Sequence, residues 1–167
     1  TKINVDGSVT PLLAESWRIE PDGKSYTFKL RKGIKFQDGE PFDAAAVKFS
    51  FERAKADGST NKARKAVFDN ISSIAVHDAH TVILVLNNFD GTLPFRLGEN
   101  TAVILHPDSA AAAATKPVGT GPFKFVSWTP GDKVTVEKNA DYWDADNAAY
   151  LDGIVFQVIK DSTATLN

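Results

Sequence analysis

The chain has 167 residues, a formal net charge of −2 at pH 7, 43% hydrophobic residues, 24% charged residues and no cysteine. This balance is typical of a globular domain and argues against a basic nucleic-acid-binding surface. The missing cysteines exclude disulfides, cysteine-ligated metals and thiol nucleophiles, and no apolar run approaches the roughly 20 residues that span a bilayer. Methionine is also absent, so we expect Thr1 to be a processed or cut end.

The first predicted element is a β-hairpin over residues 17–30. Tyr26, Phe28 and Leu30 alternate with polar residues, which predicts a strand with one aromatic, buried face. The preceding residues 20–23 place proline and glycine where a type I turn prefers them. Two antiparallel strands should therefore meet at this turn.

A helix is predicted over residues 44–56. Asp43 is placed to accept hydrogen bonds from the first free N–H groups, and Val47 and Phe51 share one apolar stripe. Phe49 points to the other side of the helix. Either the helix is buried on two sides, or Phe49 faces a groove.

Two further hairpins are predicted over residues 71–86 and 121–138. Strand 81–86 is apolar on both faces, so we expect it at the centre of a sheet. We expect the side chains of Leu84 and Phe125 to be buried, as for Phe28 in the first hairpin.

Shorter elements complete the prediction. They are a helix over 94–98, a buried strand over 102–105, a helix over 110–114 capped by Asp108, a strand over 154–159 and a helix from Asp161. Because the last helix would be cut after one turn, we expect the chain to be a truncated piece. Strand 154–159 lacks a polar face, which predicts self-association of that piece.

Few residues suggest reaction chemistry. His77 and His80 flank a turn, but two ligands without a third make a weak metal signal, and a solvent-exposed turn is favoured. Gly119-Thr120-Gly121 lacks the third glycine and the following helix of a dinucleotide site, so we interpret it as tight bends before a strand. The pattern predicts no enzyme, no metal and no cofactor.

Several motifs occur in a fixed order along almost the whole chain. They are Leu13-Ala14-Glu15-Ser16-Trp17, Tyr26-Thr27-Phe28-Lys29-Leu30-Arg31-Lys32-Gly33, Lys35-Phe36-Gln37-Asp38-Gly39-Glu40-Pro41-Phe42, Val47-Lys48-Phe49-Ser50-Phe51-Glu52-Arg53, Pro117-Val118-Gly119-Thr120-Gly121-Pro122-Phe123-Lys124-Phe125, residues 139–143, Tyr150-Leu151-Asp152 and Val158-Ile159-Lys160-Asp161-Ser162-Thr163. Together they resemble the extracytoplasmic solute-binding proteins of ABC transporters, family 5, the peptide- and nickel-binding group.

The resemblance implies an incomplete α/β fold with α+β character, of the type II periplasmic-binding-protein kind, with mixed sheets and hairpins. It implies that residues 1–107 are the extra subdomain of the first lobe and residues 108–167 part of that lobe. The second lobe is absent. The implied function is non-enzymatic: capture of a small, peptide-like solute and its delivery to permease subunits, without nucleic acid. A nickel chelate, an opine or a sugar stays open as the solute. The implied location is periplasmic, or on a lipoprotein outside the cytoplasmic membrane.

The resemblance also implies candidate ligand-binding residues. Residues 98–101 match a segment that reaches the cleft in relatives, where a basic residue or histidine is common and Asn100 stands here. Asn100 is the main candidate, with Glu99, Thr101 and Phe49. The alternative is that Asn100 is a loop residue bonded to its own backbone.

Two rival functions are kept. A carboxylate-dependent hydrolase would need a concave cluster of acids with perturbed pKa values. A protein-interaction module would need a large exposed apolar patch that a missing lobe does not explain.

Overall fold

The computed structural model describes residues 1–62 and 65–159, which form two compact units. The first unit consists of Thr1–Ile34 and Pro41–Pro107, and the second of Lys35–Glu40 and the chain from Asp108 onward. The sequence did not separate Lys35–Glu40 from the first region. The identification of the two regions with a subdomain and part of a lobe stays a prediction.

The first unit is built on an antiparallel sheet. The four strands of this sheet are β3 (Ala14–Ile19), β4 (Ser25–Leu30), β5 (Ile71–Asp78) and β6 (Thr81–Leu86), in the order β3-β4-β6-β5. Two short strands before them, β1 (Lys2–Ile3) and β2 (Val9–Thr10), form a separate two-stranded sheet. This confirms the two hairpins predicted in this region and the central position of β6. The turn between β3 and β4 is closed by the Gly23 N–H, which donates to the Glu20 carbonyl at 2.9 Å.

Alternation along β4 and β6 produces the core of this unit. Tyr26 lies opposite Leu84, and Phe28 lies opposite Val82, so all four side chains project from the same face of the sheet. Tyr26 and Leu84 have no exposed surface at all. The rings of Tyr26 and Phe28 stack with their centroids 6.2 Å apart.

Two helices pack against the sheet: α1 (Ala44–Lys55) against β5 and β6, and α2 (Lys65–Asp69) against β5. A third helix, α3 (Leu93–Arg96), follows β6 in the chain. The predicted cap of α1 is confirmed, since the Asp43 carboxylate accepts from the Ala46 N–H at 2.9 Å. Phe51 of α1 packs on Phe68 of α2 with ring centroids 5.5 Å apart. The short helix α2 was not predicted.

The buried strand predicted over residues 102–105 is wrong. The segment forms no ladder, Leu105 alone is buried, and Val103 is 58% exposed. A side chain connects this segment to the rest of the unit, since Ser50 Oγ accepts a hydrogen bond from the Leu105 N–H at 2.9 Å. The same hydroxyl donates to the Ala46 carbonyl at 2.7 Å. A buried hydroxyl replaces the partner strand.

The second unit contains a three-stranded antiparallel sheet. Its strands are β7 (Phe123–Thr129), β8 (Lys133–Lys138) and β9 (Gly153–Gln157), in that order, with 3-10 turns at Pro107–Ala112 and Ala145–Asn147. The third predicted hairpin is confirmed. The predicted helix over 110–114 is instead a 3-10 helix whose first turn contains Asp108. The strand predicted to reach residue 159 ends at Gln157, and the helix predicted from Asp161 lies outside the described residues.

One face of this second sheet is apolar and only partly covered. Phe125 lies opposite Val136, which lies opposite Ile154, and Trp128 continues the row beside Val134. The expectation that Phe125 is buried is wrong, since it is half-exposed. Within the described part of this unit, the buried side chains are Phe36 and Asn139.

Candidate functional site

The segment proposed from the sequence to reach a ligand forms a tight turn after α3. The Gly98 N–H donates to the Phe95 carbonyl at 2.9 Å, and the Ala102 N–H donates to the Glu99 carbonyl at 3.2 Å. Asn100 and Thr101 therefore occupy the two central positions of a β-turn. Asn100 is exposed at its tip.

This turn is anchored at both ends. The Thr101 carbonyl accepts from Asn61 Nδ2 at 3.1 Å. At the other end, a Cβ on Gly98 would lie 2.8 Å from Cγ1 of Ile3, so a larger residue would force the Ile3 side chain to shift. The tip is thus held without any contact from the Asn100 side chain itself.

The four candidate residues occupy two places in the first unit. Glu99 and Thr101 are half-buried on either side of the exposed Asn100, whereas Phe49 is half-buried in the middle of α1. No hydrogen bond or ring contact recorded for residues 1–62 and 65–159 joins Phe49 to the turn. The Asn100 side chain makes no hydrogen bond to its own backbone or to any other described residue. Their role in binding stays a prediction.

A second concave region, which the sequence did not indicate, lies on the solvent face of the four-stranded sheet. It encloses about 660 Å³ and is lined by Ser16, Trp17, Arg18, Glu20, Asp22, Ser25, Thr27, Lys29, His77, Thr81 and Ile83. Lys29 Nζ donates to Thr81 Oγ1 at 2.8 Å, and Thr81 Oγ1 in turn bonds Asp78 at 2.8 Å. The sequence signal that could have indicated this region is the row of polar residues in β4, Ser25, Thr27 and Lys29, which alternate with its buried residues.

The carboxylates around this region are held ionised. The hydroxyl of Thr27, followed by Arg18, lowers the pKa of Glu20, and the His80 N–H, followed by Thr81, lowers the pKa of Asp78. Hydrogen bonds to the charged form always act in this direction. Among the described carboxyl groups with a resolved shift, none has a raised pKa, so none is prepared to act as a general acid near neutral pH.

The histidine turn is less exposed than predicted. His77 is exposed, but His80 is half-buried, and its Nδ1 is buried without a hydrogen-bond partner. The His80 backbone explains this position, since its N–H donates to Asp78 at 2.7 Å and its carbonyl accepts from Leu30 at 2.8 Å. Within the described ranges, no three or more metal-ligating side chains come together.

The Gly119-Thr120-Gly121 segment, assigned to the second unit, bends as expected before β7, and the glycine φ angles stay negative. Its contacts were not predicted. Gln37 Nε2 donates to the carbonyls of Gly121, at 3.1 Å, and Phe123, at 2.6 Å. Two residues that follow β8 in the sequence also donate to this segment: Asn139 Nδ2 to the Gly121 carbonyl and Trp143 Nε1 to the Thr120 carbonyl.

None of the helices within the described ranges has the length and apolar character required to cross a membrane.

Comparison with known proteins identifies relatives along nearly the whole chain. The family model "Bacterial extracellular solute-binding proteins, family 5 Middle" matches residues 8–167. The glutathione-binding protein GsiB of Shigella boydii serotype 4 is 38% identical over 162 residues, which cover 90% of this chain and 30% of that protein. The chain therefore spans about a third of the length of this relative.

Solved structures give the same result. The PBP AgaA from A. tumefaciens R10, in complex with agropinic acid, matches with a TM-score of 0.88 and 33% identity, over 99% of this chain and 34% of that one. The periplasmic binding protein DppA of Helicobacter pylori, in complex with the peptide STSA, matches with a TM-score of 0.81 and 35% identity, over 94% and 35%. The predicted fold class, an incomplete periplasmic-binding-protein fold, is confirmed.

Proposed function

We propose, because this chain belongs to the bacterial extracellular solute-binding proteins of family 5, that it is part of the substrate-binding component of an ABC importer. The observation that carries the proposal is the match of the family model to residues 8–167. The high structural similarity to a solute-bound relative supports it. The complete protein captures its solute outside the cytoplasmic membrane, in the periplasm or on a lipoprotein, and delivers it to the permease subunits.

The proposed solute is small, polar and peptide-like. Two of the relatives are a glutathione-binding protein and a protein solved with the peptide STSA. The complex of AgaA with agropinic acid makes a modified amino acid the second possibility within the same chemical range. All of these carry carboxylate and amide groups that neutral side chains can bind.

The proposed organisation follows the two regions expected from the sequence. Residues 1–107 form the extra subdomain of the first lobe, and residues 108–167 form part of that lobe. A second lobe outside this chain closes on the solute by a hinge motion. Because the surfaces of both lobes then share the solute, this chain alone binds it weakly, in the millimolar range or about 4 kcal/mol.

Asn100 is the proposed contact to the solute, with Glu99, Thr101 and Phe49 around it. The turn that carries Asn100 is fixed by Asn61 and by the close approach at Gly98. Its amide retains both its donors and its acceptor for a ligand. A preorganised turn lowers the ordering cost of binding.

The proposed activity is binding without catalysis. The carboxylates of the concave region are kept ionised by their own hydrogen bonds, which leaves them unsuited to proton transfer.

Mass spectrometry of solute retained by the complete protein tests the proposal. We expect to find a peptide-like molecule. If repeated preparations contain no bound solute, and no added solute binds, the importer role is contradicted. Calorimetry then compares Asn100→Ala with Asn88→Ala, since Asn88 is also exposed and its side chain forms no recorded hydrogen bond. Asn100→Ala should weaken binding by about 1–3 kcal/mol, and equal affinities would remove Asn100 from the site.

A further inference from the structure

The loop of residues 117–123 in the second unit is held by six hydrogen bonds to its carbonyl oxygens. The donors are Gln37 N to Gly119 at 2.9 Å, Trp143 Nε1 to Thr120 at 3.2 Å, Gln37 Nε2 and Asn139 Nδ2 to Gly121 at 3.1 Å each, Asn139 N to Pro122 at 2.9 Å, and Gln37 Nε2 to Phe123 at 2.6 Å. Every carbonyl from residue 119 to residue 123 is therefore occupied. These contacts brace the loop through its carbonyl groups.

Several N–H groups of the same loop, unlike the carbonyl groups of residues 119–123, have no hydrogen-bond partner among the described residues. Within residues 1–62 and 65–159, the N–H groups of Val118, Thr120 and Gly121 donate to no acceptor, and neither does the Thr120 hydroxyl. These residues are half-exposed. A Cβ built on Gly121 would meet nothing within 4 Å, so the backbone at this point is open to a close approach.

We infer that this loop binds a carboxylate group through the N–H groups of Thr120 and Gly121. The carbonyls of residues 119–123 are satisfied by the protein and the N–H groups of Thr120 and Gly121 are not, so a ligand that brings an acceptor gains from the contact. Successive backbone N–H groups at a turn form sites for anions, and residues 120–122 bend here. Charge-assisted bonds to such groups are stronger than neutral ones. Lys116 and Lys124 lie on either side of the loop in the sequence and favour a negative ligand.

Gln37 is the positioning residue of this site. Its side chain donates to two loop carbonyls, and its Oε1 accepts from the Gly119 N–H at 3.4 Å. It touches no free donor, so its effect on binding acts through the loop. Without it, a ligand would have to order the loop on binding, which costs affinity.

The proposed carboxylate site at Thr120 and Gly121 goes beyond the importer role. It can be tested by binding measurements on this 167-residue chain alone. Amide chemical shifts are followed by NMR during titration with sodium acetate, with acetamide as the neutral isostere and sodium chloride at matched ionic strength. We expect saturable shifts of the Thr120 and Gly121 amides with acetate, and several-fold smaller ones with acetamide. Equal effects of acetate and chloride, or shifts confined to other residues, would overturn the site.

The positioning role is tested with Gln37→Ala and the matched control Gln157→Ala, an exposed glutamine of β9. Gln37→Ala should weaken acetate binding about fivefold or more and speed up amide hydrogen exchange at residues 119–121, whereas Gln157→Ala should change neither. Faster exchange without weaker binding would give Gln37 a structural role only. Because no solute or permease is involved, failure here leaves the mass-spectrometric test of the importer role unaffected.

Discussion

The two sheets of this protein are built from the same kind of hairpin and differ in what covers them. In the first unit, β4 and β6 bury Tyr26 and Leu84 completely under helices. In the second, the matching apolar row from Phe125 to Phe156 remains accessible, and Phe156 is 57% exposed. Alternation of apolar residues was sufficient to form strands in both units.

This difference separates two levels of structure. Strand pairing in a hairpin depends on nearby residues and on the turn between them, so it forms in either unit. Burial depends on a second layer contributed from elsewhere in a chain. The second unit has its strands without that layer, which agrees with a chain that spans about a third of its relatives.

The largest expected effect tests whether only the first unit has a closed core. Leu84→Ala should lower the free energy of unfolding by about 2–5 kcal/mol, because it leaves a cavity in a packed core. Phe156→Ala, at a residue of the apolar row of β9 that is 57% exposed, should cost clearly less. Urea unfolding gives both values, with amide exchange in β4 and β6 assigning the loss to the first unit. Equal costs would show that the second sheet is also covered.

The next effect concerns the open face itself. We propose that the isolated chain self-associates through the row that contains Phe156, since burial of such a side chain contributes about 1.5–3 kcal/mol. Phe156→Lys should weaken association by roughly ten- to a hundredfold in sedimentation equilibrium. Val155→Lys is the control, because Val155 is equally exposed but lies opposite Thr135 on the other face. A monomeric wild-type chain, or equal effects of both variants, would contradict the proposal.

A smaller effect tests the local signals that built α1. Asp43→Ala removes the carboxylate that accepts from the Ala46 N–H and should cost about 1 kcal/mol of stability. Asp57→Ala, at an exposed position after the helix, serves as the control for lost charge. Thermal unfolding followed by circular dichroism should distinguish them. Indistinguishable midpoints would mean that packing alone defines the start of α1.

The smallest effect is a shift in titration within the first unit. The Thr27 hydroxyl is the largest cause of the lowered pKa of Glu20, so Thr27→Val should raise that pKa towards its usual 4.5. A depressed carboxyl pKa stabilises the fold above pH 4.5, and this contribution is lost as the pH falls through the folded-state pKa. The variant should therefore lose less stability between neutral and acidic pH than the wild type.

NMR titration of the Glu20 carboxyl carbon measures the shift directly. Thr60→Val, an exposed loop threonine, is the control and should leave the Glu20 titration unchanged. An unchanged pKa in Thr27→Val would assign the depression to Arg18 instead.

Much of the fold could be predicted because its signals are local. The turn before Gly23, the cap at Asp43 and the apolar strand β6 each depend on residues close in sequence, and each is confirmed. The strand over 102–105 failed for the opposite reason. A short apolar run does not reveal whether a neighbouring strand or a single hydroxyl, here Ser50, satisfies its backbone.

The candidate sites show the same limit. The turn with Asn100 was found through a family resemblance, because an exposed asparagine has no pattern of its own. The contacts of Gln37 connect residues 82–86 positions apart, and neither a period nor a motif encodes such a pairing. The groove on the outer sheet was recoverable in part, from the polar residues that alternate with the core of β4.

The assignment of Lys35–Glu40 to the second unit also affects how the protein is made. A ribosome releases these residues well before residues 117–143, so Gln37 must wait for its partners while the rest of the first unit is already available to fold. Closing a loop of this length adds a conformational search that local hairpins avoid. During synthesis the rest of the first unit can therefore fold while Lys35–Glu40 has no partners, and the later segment 117–143 supplies them.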